Sequence, residues 1–153
     1  MNYNFQDDIK DGESNEVWLA NKICKKWNGR LVGGYNKNYK YDFIIAFPNG
    51  KQFKFEAKVD YMGWTGNFAL EYESWNKFSG INTTQSDYYL YRFQWKDKQD
   101  WVWAIKTSDL RDMVEKKDYI RSVTGGDRGS NTKMYLFAQK YMLSSGKVGV
   151  LDL

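Results

Sequence analysis

Residues 41–60, YDFIIAFPNGKQFKFEAKVD, decide how this chain can fold. Pro48-Asn49-Gly50 is turn chemistry between two runs rich in Ile, Phe and Val, so residues 41–47 and 51–59 are expected to pair as antiparallel strands. If Phe47 faces Lys51 across a three-residue loop, Phe43 faces Phe55, Ile45 faces Phe53 and Tyr41 faces Ala57, which makes one continuous apolar face. The opposite face is then polar. Asp42 falls opposite Glu56, and Lys58, two residues further on, lies on the same side of the pleat. A slip of one residue would destroy both faces together.

Two carboxylates opposed across a strand pair repel each other unless something neutralises them. A divalent cation does so, and hard oxygen ligands of this kind suit Mg²⁺ or Mn²⁺, held by a few carboxylates, waters and substrate phosphate oxygens. A solvated charged face on an ordinary hairpin is the alternative. The Asp, then Glu-x-Lys, spacing resembles the PD-(D/E)XK nuclease superfamily, with Tyr41 where the name-giving proline would stand. The resemblance implies an α/β fold with a restriction-endonuclease-like αβββαβ core, in which a mixed central sheet is flanked by helices. It also implies catalytic roles for Asp42, Glu56 and Lys58, a Mg²⁺ or Mn²⁺ ion on Asp42 and Glu56, and products carrying a 5′ phosphate.

The whole chain, 153 residues, is expected to form one domain without disulfides or structural metal. With 23 Lys and Arg against 19 Asp and Glu the net charge is +4, which suits a polyanionic partner and equally an ordinary basic enzyme. The absence of histidine removes the serine triad, histidine-metal nucleases and histidine-ligated zinc. Cys24, the single cysteine, lies in an apolar helical pattern and reads as a core residue of a reduced, cytoplasmic protein. No membrane span is visible in the sequence.

Residues 1–12 are polar and read as an N-terminal arm. A first helix is expected from about Glu13 to Trp27, capped by Ser14 or Asp11 and stopped by Asn28-Gly29, with Val17, Ala20, Ile23, Cys24 and Trp27 as its buried stripe. Glu16 borders that stripe near the positive end of the helix dipole. Nucleases of the superfamily carry a glutamate on the first helix that leans over the metal, and the resemblance places Glu16 there as a third metal ligand and catalytic residue, with Glu13 in reserve. Plain helix-start chemistry would explain both acids as well. Residues 30–35 read as a short strand turned into the hairpin by Gly33-Gly34 and residues 36–38. Asp60 continues the alternation of Glu56 and Lys58, to hold a second ion or to end the strand.

Residues 68–72 alternate as a strand, and TGNFALEYES followed by SGINTTQSDYY resembles small phage-encoded nucleases of the same superfamily. That likeness, spanning roughly residues 12–93, implies that Glu71 or Glu73, Ser79, Thr83, Thr84 and Gln85 line the site or touch the phosphate backbone. A polar loop would account for residues 79–85 equally. Strands are expected near 88–93 and 101–105, a helix over 108–117 packed by Leu110, Met113 and Val114, and closing apolar segments over 134–143 and 148–151. The glycine-rich, basic stretch 121–133 could embrace phosphates through Arg128 and Lys133, or be a flexible surface loop.

Phosphodiester hydrolysis needs a nucleophilic water, a sink for charge on the phosphate and help for the departing oxygen. The expected function is therefore a metal-dependent DNA nuclease, foremost a Holliday-junction-resolvase-like endonuclease of phage type acting on DNA as a homodimer in the host cytoplasm. A phage DNA exonuclease of the same superfamily and a non-catalytic DNA-binding module are the two alternatives.

Overall fold

The hairpin forms in the expected register. In the computed structural model, β2 (Phe43–Ala46) pairs antiparallel with β3 (Gln52–Asp60), Phe43 opposite Phe55 and Ile45 opposite Phe53. The Phe47 N–H donates to the Lys51 carbonyl at 2.8 Å and the Gly50 N–H returns to the Phe47 carbonyl at 2.9 Å, closing the three-residue loop. Phe43, Ile45, Phe55 and Ala57 are buried on one face. Tyr41 leaves that face. It precedes β2, and its ring lies 5.4 Å from the Lys54 ammonium, so the apolar face ends one residue pair earlier than expected.

The described residues are 5–35, 40–95, 97–126 and 128–153, with the backbone alone over 5–14. Before the hairpin come α1 (Phe5–Trp27) and β1 (Arg30–Gly34), and after it β4 (Asn67–Ser74), β5 (Lys77–Phe78), β6 (Tyr88–Phe93) and β7 (Trp101–Lys106). The chain then runs through α2 (Thr107–Glu115), β8 (Arg121–Gly125), β9 (Thr132–Ala138), α3 (Gln139–Ser144) and β10 (Val148–Leu151). The expected turn over residues 36–38 lies outside the described residues. The fold is α/β with a mixed sheet: six strands in the order β1-β2-β3-β6-β7-β10, in which β3 and β6 run parallel and the other neighbours antiparallel. A second, antiparallel sheet has the order β5-β4-β9-β8.

These elements make three layers. Leu19, Ala20 and Ile23 of α1 pack on Phe43, Ile45, Phe55, Ala57, Leu90 and Val102 on one face of the large sheet. On its other face Tyr89, Tyr91, Phe93, Trp103 and Ile105 meet Phe68, Leu70 and Phe137 of the small sheet, with Leu110, Met113 and Met142 from α2 and α3. Strand β6 is buried on both sides, which is why YYLYRF is almost continuously apolar. Each such Leu, Ile or Phe contributes roughly 1.5–3 kcal/mol by leaving water.

Several expectations are corrected. Among the described residues the helix already includes Phe5, so the stretch taken for an arm is helical from residue 5 onward, and Asp11, Ser14 and Glu16 stand inside the helix rather than at its N-terminal end. Its stop is as expected: Asn28 adopts left-handed backbone, φ 55°, and the Gly29 N–H donates to the Cys24 carbonyl at 3.0 Å. The buried stripe is rotated, with Leu19 buried while Val17 and Trp27 are exposed. Between β3 and its parallel neighbour β6, where the αβββαβ order expects a helix, the chain instead makes β4, β5 and two 3-10 turns, Gly63–Thr65 and Gly80–Asn82. The stretch 121–133 is mostly the β8–β9 hairpin rather than a loop.

Candidate functional site

Asp42 ends the polar face of the hairpin where β1, β2 and β3 converge. The Tyr35 N–H donates to its carbonyl at 2.9 Å, its own N–H to the Phe55 carbonyl at 2.8 Å, and its carboxylate Oδ2 accepts the Ala57 N–H at 2.7 Å. Gly34 permits this close approach: at φ +134°, any Cβ there would stand 2.4 Å from the Phe43 side chain. Across the pair, on β3, Glu56 is buried and Lys58 keeps 37% of its side chain exposed, with the Lys58 Nζ 3.4 Å from Glu56 Oε1.

Glu16 comes to this face from α1. Its carboxyl hydrogen-bonds to Asp42 and feels the charges of Glu56 and Lys58 as well. Burial, then the Asp42 charge and that hydrogen bond, raise Glu16 from 4.5 to about 7. Burial also lifts Asp42 above the usual aspartate range against the Ala57 N–H and Lys58, which pull it down. Glu56 is lifted by burial too, and the Lys58 ammonium only partly offsets this. Loss of solvent would lower Lys58, but the fields of Glu56, Glu71 and Asp42 outweigh it and hold the ammonium above its ordinary value. The Glu16–Asp42 pair thus holds on to a proton as a pair, while Lys58 remains a cation. Three carboxyls stand where the ionised form is disfavoured, which is the condition that an added cation relieves.

The 79–85 segment closes the site from the side. Gly80, at φ +51°, presses so closely on β4 that a Cβ would stand 2.1 Å from the Glu71 carbonyl oxygen. Thr84, only 4% exposed, has one hydroxyl proton to share between Glu56 Oε2, 3.4 Å away, and the Lys40 carbonyl, 3.1 Å away, with Ser86 Oγ at 2.9 Å. It therefore acts as a support of Glu56 from within the protein. Thr83 is half-buried on the Gly80 carbonyl, and the Gln85 side chain is exposed while its N–H donates to the Lys40 carbonyl at 2.6 Å. Ser79 Oγ is buried with no protein partner among the described residues.

Of the remaining candidates, Glu71 on β4 is near enough to act on Lys58. Asp60 lies at the end of β3 with its carboxylate accepting the Met62 N–H at 2.6 Å, the arrangement of a strand end. Glu73 and Lys133 pair with each other at 3.1 Å across β4 and β9, and Arg128 is exposed in the β8–β9 turn. The side chain of Glu13 lies outside the described residues. Two residues went unsingled in the sequence for this site. Arg111 on α2 donates to the Thr84 carbonyl at 2.7 Å and the Ile81 carbonyl at 3.4 Å, pinning the turn that supports Glu56. Tyr89, level with Glu56 in the parallel pair, keeps a buried hydroxyl without a protein partner among the described residues. Neither bears a local sequence signal, since both reach the site through pairing with distant segments.

Among the described residues no group of three Cys, Asp or Glu side chains is disposed to hold a metal ion by itself. Asp42 and Glu56 offer hard oxygens, and such a pair fits a cation that keeps several waters and takes further oxygens from a phosphate, rather than a dedicated cage. Among the described residues no helix is long and apolar enough to cross a membrane. No protein-family model, no curated protein and no solved structure matches this chain.

Proposed function

We propose that this chain is a metal-dependent DNA nuclease of the PD-(D/E)XK kind, built on a restriction-endonuclease-like core, and that it acts on branched DNA as a homodimer in the manner of phage Holliday junction resolvases. The observation that carries the reading is the Lys58 ammonium 3.4 Å from Glu56 on a polar strand face that also gathers Asp42 and Glu16. A structural ion pair would need one acid for one lysine. Here burial lifts three carboxyls around a single cation, an arrangement of the kind found where side chains are tuned for chemistry.

Mg²⁺ or Mn²⁺ on Asp42 and Glu56 would supply an acidified water and polarise the phosphate. The chain's own groups do the rest. Lys58, kept charged by Glu56 and Glu71, orients the attacking water or stabilises charge developing on the phosphate. The Glu16–Asp42 pair, whose carboxyls are both raised by burial, would release its proton on binding a cation. Thr84, fixed by Arg111 and Ser86, keeps Glu56 aimed at the site.

The test is a gel assay, in Mg²⁺ and in EDTA, of end-labelled four-way junction, linear duplex and single strand in parallel. Symmetric metal-dependent nicks confined to the junction are expected. A ladder from the ends of linear DNA would assign the exonuclease activity instead, and intact DNA of all three kinds in both Mg²⁺ and Mn²⁺ would sink the nuclease and leave a DNA-binding module.

A further inference from the structure

Two consecutive residues at the tip of the β4–β5 hairpin hold left-handed backbone, Trp75 at φ 54° and Asn76 at φ 58°. Two-residue turns with both φ positive match the twist of a hairpin, and Asn, Asp and Gly are their usual occupants. Asn76 conforms. Trp75 is a bulky side chain in a conformation that disfavours a Cβ, and burial does not compensate the strain, because the residue is 61% exposed. The turn is nonetheless firmly held: the Trp75 N–H donates to the Ser130 carbonyl at 2.6 Å, and a Cβ on Gly129 would touch the indole at 3.5 Å. Beside it Phe78 is 69% exposed, and Lys77 and Arg128 are exposed without an ion pair among the described residues.

The hairpin thus exposes two rings, Trp75 and Phe78, within four residues of one another, with Lys77 between them in sequence and Arg128 next to the Gly129 that meets the indole, on a chain of net charge +4. A nucleic-acid strand offers flat π faces for the rings and phosphates for the cations, and it is also the polymer that the neighbouring site is proposed to cut. Strand β4 joins this tip to the site, since Glu71, whose charge acts on Lys58, stands four residues before Trp75, ~13 Å along an extended strand.

We propose that this tip is a nucleobase platform, in which Trp75 and Phe78 stack on unpaired bases of a DNA strand whose phosphates pass Lys77 and Arg128 on the way to Lys58. The inference rests on the nuclease reading and deepens it: the strand held is one whose bases open at a branch point, so single strand and fork report the binding even though cleavage is confined to the junction. The strain at Trp75 is then a cost retained for display of the ring.

The test exploits the turn. Trp75→Asn removes the ring and installs a residue that favours left-handed backbone, so the hairpin is not endangered, and Trp75→Phe keeps an aromatic face. Binding of fluorescently labelled single strand, fork and blunt duplex is read by anisotropy in EDTA, with thermal melts to confirm folding. Trp75→Asn is expected to weaken binding of the single strand and the fork roughly tenfold or more, with little change for blunt duplex, and Trp75→Phe to recover most of the loss. Equal affinity of Trp75→Asn and wild type for single strand and fork overturns the platform, while metal-dependent cleavage by the wild type in the same preparation leaves the nuclease reading standing. Wild type that binds none of the three DNAs overturns both. Loss of self-association in Trp75→Asn with unchanged DNA affinity would assign the tip to a second copy of the chain and overturn the platform as well.

Discussion

The two faces of β3 ask opposite things of their side chains. Phe55 and Ala57 turn into the layer beneath α1, where Phe43, Ile45 and Leu19 leave no polar atom to satisfy. Glu56 and Lys58 turn the other way, between the two sheets, where burial works against every carboxyl present. One face gains free energy from losing water and the other is charged that same loss as a penalty. A nine-residue strand therefore carries both the stability of the large sheet and a cluster that weakens it, and the weakening is tolerable because the neighbouring face is so well packed.

That contrast can be broken from either side. The largest effect belongs to the apolar face: Phe55→Ala should cost about 3–5 kcal/mol of folding stability, read as a lower urea midpoint, and a loss under 1 kcal/mol would show that this layer does not hold the sheet. On the polar face Lys58→Met, which keeps the stem and removes the charge, should lower turnover by about 10²–10³-fold with DNA affinity unchanged. A parallel fall in affinity and turnover would make Lys58 a phosphate anchor instead.

Smaller, and opposite in sign to an ordinary core substitution, is the effect of Glu16→Gln. Glu16 is raised from 4.5 to about 7, so the folded protein holds its proton more firmly than the unfolded chain. Its contribution to stability is complete below pH 4.5 and is lost as the pH rises through 7; Asp42 and Glu56, raised likewise, act in the same direction. Metal-free wild type should therefore melt higher at pH 5 than at pH 8, and Glu16→Gln should flatten that slope and melt above the wild type at pH 8. A Glu16→Gln slope equal to that of the wild type would contradict the upward shift of Glu16. The smallest change is Thr84→Val, which should cost about 1 kcal/mol and lower turnover modestly by loosening Glu56.

The hairpin was legible because everything that specifies it is local: a three-residue turn and a period of two, which place Asp42, Glu56 and Lys58 on one face from the sequence alone. Glu16 was legible from helical phase, since residues 16, 20 and 23 share a side of α1 whichever apolar residues complete the stripe. The phase of the rest was misjudged because α1 carries Val17, Trp18 and Leu19 in succession, and only the sheet beneath decides that Leu19 is covered. The crossover was illegible for a different reason. Strand β4 is held by β9, with Phe68 opposite Phe137, so no local pattern says that residues 67–74 belong to a second sheet. Arg111, Tyr89 and the burial of Thr84 depend on the same distant pairings. What the sequence carried was the charged face; what it lacked was the layer placed over it.

The central claim is that this face holds a cation. Calorimetric titration of Mn²⁺ into the wild type and into Asp42→Asn, which keeps an oxygen for the Ala57 N–H, tests it without reference to any substrate. The account predicts binding at pH 8 that is lost in Asp42→Asn and weakens in the wild type as the pH falls below about 7, where protons compete for Glu16 and its neighbours. Absence of Mn²⁺ binding by the wild type at pH 8, or equal binding by the two proteins, would contradict it.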